Sequence, residues 1–143
     1  GTLDVLRQGI DLLGLKQSLK LAEFKPALGI NPEILARYAA NRLRAVRQVR
    51  YSLHSENSID VVLFLNGLPV ATVELKTDFT QSIDDAIDQY RFDRVPQSKG
   101  QAPEPLLSFP SGALVHFAVK LIGGHKSAFF QITSVGVIIS IFS

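Results

Sequence analysis

The sequence of 143 residues contains no cysteine, so a disulfide framework is excluded and a reducing, cytoplasmic setting is the simplest expectation. No apolar run approaches the ~18 residues that a membrane helix needs, and the amino terminus has no signal-like pattern. No membrane partner is therefore expected. A Gly-x-x-x-x-Gly-Lys-Ser/Thr loop is also missing, which excludes ATP binding by that route. His54, His116 and His125 lack metal-ligand spacing and read as structural or solvated. Serine and histidine occur without a recognisable nucleophile turn, and no internal repeat is visible. Excess charge is small: 15 Lys and Arg against 13 Asp and Glu give +2, too little to indicate a nucleic-acid partner.

What is present is a composition 46% hydrophobic, enough for one compact domain with a sizeable core. The charge is unevenly placed. Arg37, Arg42, Arg44, Arg47 and Arg50 crowd one segment, whereas Asp84, Asp85, Asp88 and Asp93 follow later. An arginine-rich edge near an acidic centre suits a phosphate backbone, with Arg47 and Arg50 nearest the first motif strand; for any single arginine a solvated helix face is an equally good reading.

The densest information lies in Ser58–Leu65, Asn66-Gly67 and Leu68–Lys76, two β-rich runs around a turn dipeptide. A two-residue turn pairing positions that sum to 133 would mix Thr72 and Glu74 into the apolar face of Val61 and Leu63. A three-residue loop, or a bulge, pairs positions that sum to 134 and sorts the faces, because a one-residue slip exchanges them. Ile59, Val61, Leu63, Leu65, Pro69, Ala71, Val73 and Leu75 then form an apolar core face. On the other face Asp60 lies opposite Glu74, where cross-strand Cβ atoms are about 4.5–5.5 Å apart. Lys76 projects the same way. Two carboxylates so close repel unless something positive sits with them. A divalent cation is one answer, and oxygen-only ligands suit Mg²⁺ or Mn²⁺. The other is that Lys76 neutralises Glu74 in a surface ion pair, with Asp60 marking a strand start.

Asp60, thirteen intervening residues, then Glu74-Leu75-Lys76, with Asn57-Ser-Ile before and Asn66-Gly-Leu-Pro69 between, resembles the PD-(D/E)XK nuclease core. More narrowly, the chain resembles the amino-terminal endonuclease domain of the restriction subunit of type I restriction-modification enzymes. Gly1–Arg7, Phe24-Lys-Pro26, Tyr38–Arg42, Asp85–Arg91 and Val115–Val119 fit the same pattern, so the resemblance covers residues 1–119. It implies an α/β fold with a restriction-endonuclease-like core, a mixed central sheet flanked by helices. It further implies that Asp60 and Glu74 hold Mg²⁺, that the Leu75 carbonyl adds a ligand, and that Lys76 orients or helps deprotonate the attacking water. Such a cation would acidify water and offset charge on the phosphate oxygens.

Two departures from the family pattern are visible. Ile59 replaces the proline that usually precedes the aspartate. Related nucleases carry Gln-x-x-x-Tyr on the next helix, but Gln89 is followed at the fourth position by Asp93, and Tyr90 is preceded there by Ala86. Gln89 is carried over as the catalytic half of that motif.

The rest of the chain supplies the frame. Leu3, Leu6, Ile10 and Leu13 have helical spacing within residues 2–20, broken near Gly14. Asn31-Pro-Glu33 opens a helix expected to reach about Arg42, with Asn31 as N-cap. Val46–Tyr51 reads as a strand and His54–Asn57 as a turn. Ser82 caps a helix through Phe92 whose apolar face is Ile83, Ala86, Ile87 and Tyr90. Residues 95–112 read as a long loop and Ala113–Lys120 as a buried strand. Residues 1–120 are thus expected to be the nuclease domain. Residues 121–143 are a tail outside the resemblance, with a turn at Gly123-Gly124 and a strand-like run from Val135 to Phe142 suited to joining the sheet.

The resemblance implies a Mg²⁺-dependent type I site-specific deoxyribonuclease domain acting on double-stranded DNA beside modification and specificity subunits. The motor of such enzymes lies in later domains, so this segment would not translocate DNA. The incomplete Gln-x-x-x-Tyr motif supports the competing expectation, a non-catalytic DNA-binding or subunit-docking module that keeps the fold.

Overall fold

The computed structural model of the chain describes residues 1–77, 83–122, 125–132 and 137–141. Helix α1 (Thr2–Gln8) is followed by α2 (Pro32–Ala39), strands β1 (Leu43–Arg50), β2 (Ser58–Leu65) and β3 (Leu68–Thr77), and helix α3 (Ile83–Asp88). Helix α3 runs into a π-helical turn, Gln89–Asp93, and strands β4 (Val115–Ile122), β5 (His125–Ile132) and β6 (Val137–Ile141) complete the chain. The six strands lie in sequence order in one sheet. Every neighbouring pair is antiparallel except β3–β4. This is the α/β, mixed-sheet architecture that the motif's resemblance implies.

The β2–β3 hairpin combines the two registers considered from the sequence. At its tip Leu65 pairs with Leu68 and Phe64 with Pro69, the register of a two-residue turn. Asn66 and Gly67 take φ of 51° and 90°, the left-handed pair such a turn requires. The register then shifts at a bulge, and from Leu63↔Ala71 through Val61↔Val73 the sum is 134. A two-residue turn plus a bulge, rather than a three-residue loop, thus sorts the faces. Pro69 has no N–H to give a ladder, which suits it to this irregular end. The Val70 carbonyl accepts from Leu114 N–H at 3.0 Å, so the shifted stretch serves the next strand.

The deepest burial falls on the motif side of the sheet. Val62 and Thr72 are fully buried there, and Tyr51, Ile59 and Leu107 join Val62 in one cluster. Each fully buried aliphatic side chain contributes about 1.5–3 kcal/mol relative to exposure. The opposite face, expected from its composition to be the core, is buried at Ala71 but half-buried at Val61, Leu63, Leu65, Pro69 and Val73, and exposed at Leu75; Ile59, expected on that face, is fully buried but packs with Val62. The reason is the connection from β3 to β4: parallel strands need a crossover, and its π-helical turn meets the motif side through Tyr90 while Leu107 joins the cluster and Leu106 packs against it. Helix α1 packs near β3 and is tied to the crossover's end, with Thr2 N–H donating to Pro110 carbonyl and its hydroxyl to the Ser111 and Gly112 carbonyls, each at 2.8 Å.

Several boundaries differ from expectation. Helix α1 stops at Gly9, whose φ of 86° ends it. A Cβ there would collide with the Leu19 carbonyl, and Ile10 instead bridges to Leu19, leaving Leu13 fully exposed. Asn31 caps α2 as expected, accepting from Glu33 N–H at 2.9 Å and Ile34 N–H at 3.3 Å. That helix ends at Ala39 because Arg42 N–H is already committed to the Asn66 side chain at 2.7 Å. Strand β1 begins three residues early, at Leu43, where it finds Leu65 as partner. Ser82 and Gly123-Gly124 lie outside the described residues.

Candidate active site

The β2–β3 ladder is paired as far as Val61↔Val73, and beyond it the Asp60 side chain reaches across to β3 beside Glu74. Asp60 Oδ2 accepts from Leu75 N–H at 2.8 Å. Its Oδ1 accepts from Gln48 Nε2 at 3.0 Å, and Gln48 Oε1 in turn accepts from the Ser58 hydroxyl at 3.1 Å. Gln48 has φ of 51°, which a non-glycine residue adopts only at a cost, and the β1–β2 pairing skips it between Arg47↔Val61 and Val49↔Ile59. A strained residue therefore interrupts a ladder and puts its amide on the aspartate.

Glu74 is 2% exposed. Its Oε1 accepts from Arg94 Nε at 2.7 Å. Arg94 follows the π-helical turn, donates from Nη1 to the Tyr51 hydroxyl at 3.3 Å, and sits 5.5 Å from the Tyr51 ring centroid. Burial pushes the Glu74 carboxyl up to about 7; Arg94 pulls the other way, and the neighbouring Asp60 adds to the rise. Lys76 lies on the same face by the two-residue strand period and is buried, so it is not a surface partner. Among the described residues, the ion pair that Glu74 makes is with Arg94.

Beneath Glu74 on the same face, Thr72 Oγ1 meets the Tyr90 hydroxyl at 2.8 Å and His116 Nδ1 at 2.6 Å, with the two rings 5.3 Å apart. Burial pushes the Tyr90 phenol up and pulls the His116 imidazole down to about 4. His116 is thus a neutral, structural histidine, as its sequence context suggested. Gln89 opens the π-helical turn, half-buried, and its Oε1 is buried without a hydrogen-bond partner. Tyr90 makes the hydrogen bond to β3. Leu75 projects to the opposite, exposed face, and its N–H is used by Asp60.

Two adjacent carboxylates with only oxygen donors fit a hard divalent cation, which takes one or two carboxylates and completes its shell with carbonyl, water and phosphate oxygens. Among the described residues no third Asp, Glu, His or Cys joins them. A concavity of about 520 Å³ lies elsewhere, at the turn end of the hairpin between Lys20, Arg37, Arg42, Arg44 and Asn66. Glu23 already pairs with Lys20 and Arg37 there.

Sequence reasoning missed Gln48 and Arg94. A left-handed glutamine leaves no local signature. Arg94 could have been sought as the positive partner that a buried carboxylate demands, but its pairing with Glu74 crosses a segment whose path the sequence does not specify.

No curated protein and no solved structure matches the chain. The family model for the type I restriction enzyme R protein N terminus matches residues 19–131, running past Lys120 into β5. No helix among the described residues is long and apolar enough to cross a membrane. With most of its length matched, the chain belongs to the type I restriction enzyme R protein N-terminal family.

Proposed function

We propose that this chain is a Mg²⁺-dependent nuclease domain that hydrolyses phosphodiester bonds of double-stranded DNA within a type I complex of restriction, modification and specificity subunits in the cytoplasm. The observation that carries this reading is the Asp60–Glu74 pair brought side by side on a buried face, with Lys76 next along it. Asp60, Glu74 and the Leu75 carbonyl would hold the cation. When bound, it would stabilise negative charge on the phosphate oxygens and acidify water. The protein's own residues supply position. Gln48 and Leu75 N–H hold the Asp60 carboxylate, Glu74 is buried and paired with Arg94, and the Lys76 ammonium would orient the attacking water. Gln89, with a buried acceptor to offer, is the remaining candidate for orienting water or phosphate.

The Arg94–Glu74 ion pair favours a second reading, a non-catalytic DNA-binding or docking module whose acidic pair is neutralised internally. Plasmid nicking in Mg²⁺ or Mn²⁺, with partner subunits supplied if the chain is silent alone, separates the two. Nicking that Asp60→Ala abolishes together with Mn²⁺ binding supports the nuclease. Mn²⁺ binding unaffected by Asp60→Ala refutes the site.

A further inference from the structure

Asp60 and Glu74 are neighbours with different counterparts. Asp60 is held by two neutral donors, the Leu75 N–H and the Gln48 amide, neither of which competes with a cation for charge. Glu74 is held by a full positive charge at 2.7 Å, with the Arg94 side chain 11% exposed and the Glu74 side chain 3%. A Mg²⁺ ion at its usual ~2.1 Å from a Glu74 oxygen would stand within a few ångströms of that guanidinium. Like charges so close in a partly buried setting repel strongly. The two positive charges compete for one carboxylate.

Arg94 also has somewhere to go. It lies outside regular structure, at φ −107° and ψ 45°, past a π-helical turn, a local irregularity that recurs at functional sites. Its second set of contacts, the long hydrogen bond to the Tyr51 hydroxyl and the face of the Tyr51 ring, involves no carboxylate and can survive release of Glu74.

We infer that Arg94 is an exchangeable counter-ion, whose guanidinium holds Glu74 while no divalent cation is bound and is displaced when one takes Glu74. The inference rests on the reading of Asp60 and Glu74 as metal ligands, and it turns the ion pair from an argument against that reading into a gate on it. Ground-state neutralisation keeps a buried acidic pair tolerable in the metal-free protein, and the cost of breaking it lowers apparent metal affinity.

The test uses the 143-residue chain with ¹⁵N-labelled arginine, titrated with Mg²⁺ while the Arg94 Nε–H resonance is followed, and Mn²⁺ calorimetry on wild type, Arg94→Gln, Arg94→Lys and Asp60→Asn. The expected result is that saturating Mg²⁺ moves the Arg94 Nε–H resonance from its carboxylate-bonded position to that of a free guanidinium. Arg94→Gln should bind Mn²⁺ about tenfold more tightly or better, since a charge-assisted bond is no longer given up. Asp60→Asn should lose Mn²⁺ binding. An unmoved resonance, with Arg94 variants binding no more tightly than wild type while Asp60→Asn still loses the ion, overturns the exchange and leaves the metal site standing. Absence of Mn²⁺ binding in wild type and Arg94→Gln alike removes both. Should Arg94→Gln fail to fold, the wild-type resonance and Arg94→Lys decide the matter.

Discussion

Lys76 is buried on the Glu74 face, yet Glu74 takes its positive partner from Arg94. Among the described residues Lys76 makes no ion pair, and its ammonium would be available for proton or water handling. Lys76→Ala should therefore still fold and still bind Mn²⁺, while single-turnover cleavage falls by on the order of 10² to 10⁴, the usual range for a positioned proton-transfer group. Undiminished cleavage would remove Lys76 from the mechanism. His116 invites a different measurement. Its folded pKa of about 4 lies below the ordinary 6.5, so between those values the unfolded chain binds a proton that the folded one refuses. The stability it contributes is complete above pH 6.5 and is lost as pH falls towards 4. Glu74, raised from 4.5 to about 7, slopes the opposite way, favouring the folded state at the acid end and losing that advantage as pH rises to 7. In chelator, Glu74→Gln should therefore steepen the rise in melting temperature between pH 4 and 6.5, and His116→Gln on that background should flatten it. Superimposable melting curves for the two would contradict the assignment.

At the level of elements, the hairpin's outcome was readable because period-two alternation leaves few ways to sort Ile59–Leu65 against Leu68–Lys76. What alternation does not specify is how the chain reaches that register, and the answer is a tight Asn66-Gly67 turn followed by a bulge. The turn is conformationally demanding but spatially open, with nothing near a Cβ added to Gly67. Gly67→Ala should thus cost about 1–2 kcal/mol from left-handed strain alone and leave Mn²⁺ affinity unchanged, as paired denaturation and calorimetry would show; a loss of metal binding would mean that the turn sets the distant register. Helix α1 shows the opposite failure. The spacing of Leu3, Leu6, Ile10 and Leu13 suggested a longer helix, but a glycine whose backbone must pass close to Leu19 overrides periodicity. Helix α3 likewise became α and then π. Such a switch depends on the packing of Tyr90 against Thr72 across the crossover, which no local pattern contains.

Across the whole molecule, β1 leaves one edge of the sheet exposed and carries most of the arginine cluster. Strand alternation splits that cluster. Arg44 pairs opposite Phe64, on the Val62 side, and Arg47 opposite Val61 on the other, while Arg50 lies between Val49 and Tyr51, which pack with the motif-side cluster, and so projects away from it. Arg50 also meets Glu56 in an exposed ion pair. If DNA lies along the Asp60 face, Arg44→Ala should weaken binding to unrelated sequences alike and reduce the salt slope by about 1, with Arg47→Ala and Arg50→Ala nearly silent. Equal effects from all three would place the nucleic acid at the edge itself. The single parallel step in the sheet has one more consequence, and it concerns time. The β2–β3 hairpin brings the two carboxylates together across 14 residues, whereas Tyr90 and Arg94 return to β3 across 18 and 20 and His116, on β4, across 44. Contacts of longer sequence separation form more slowly. A chain still being synthesised would therefore carry its acidic pair in the open, with neither counter-ion nor roof, and the enclosed site would be among the last parts of the protein to exist.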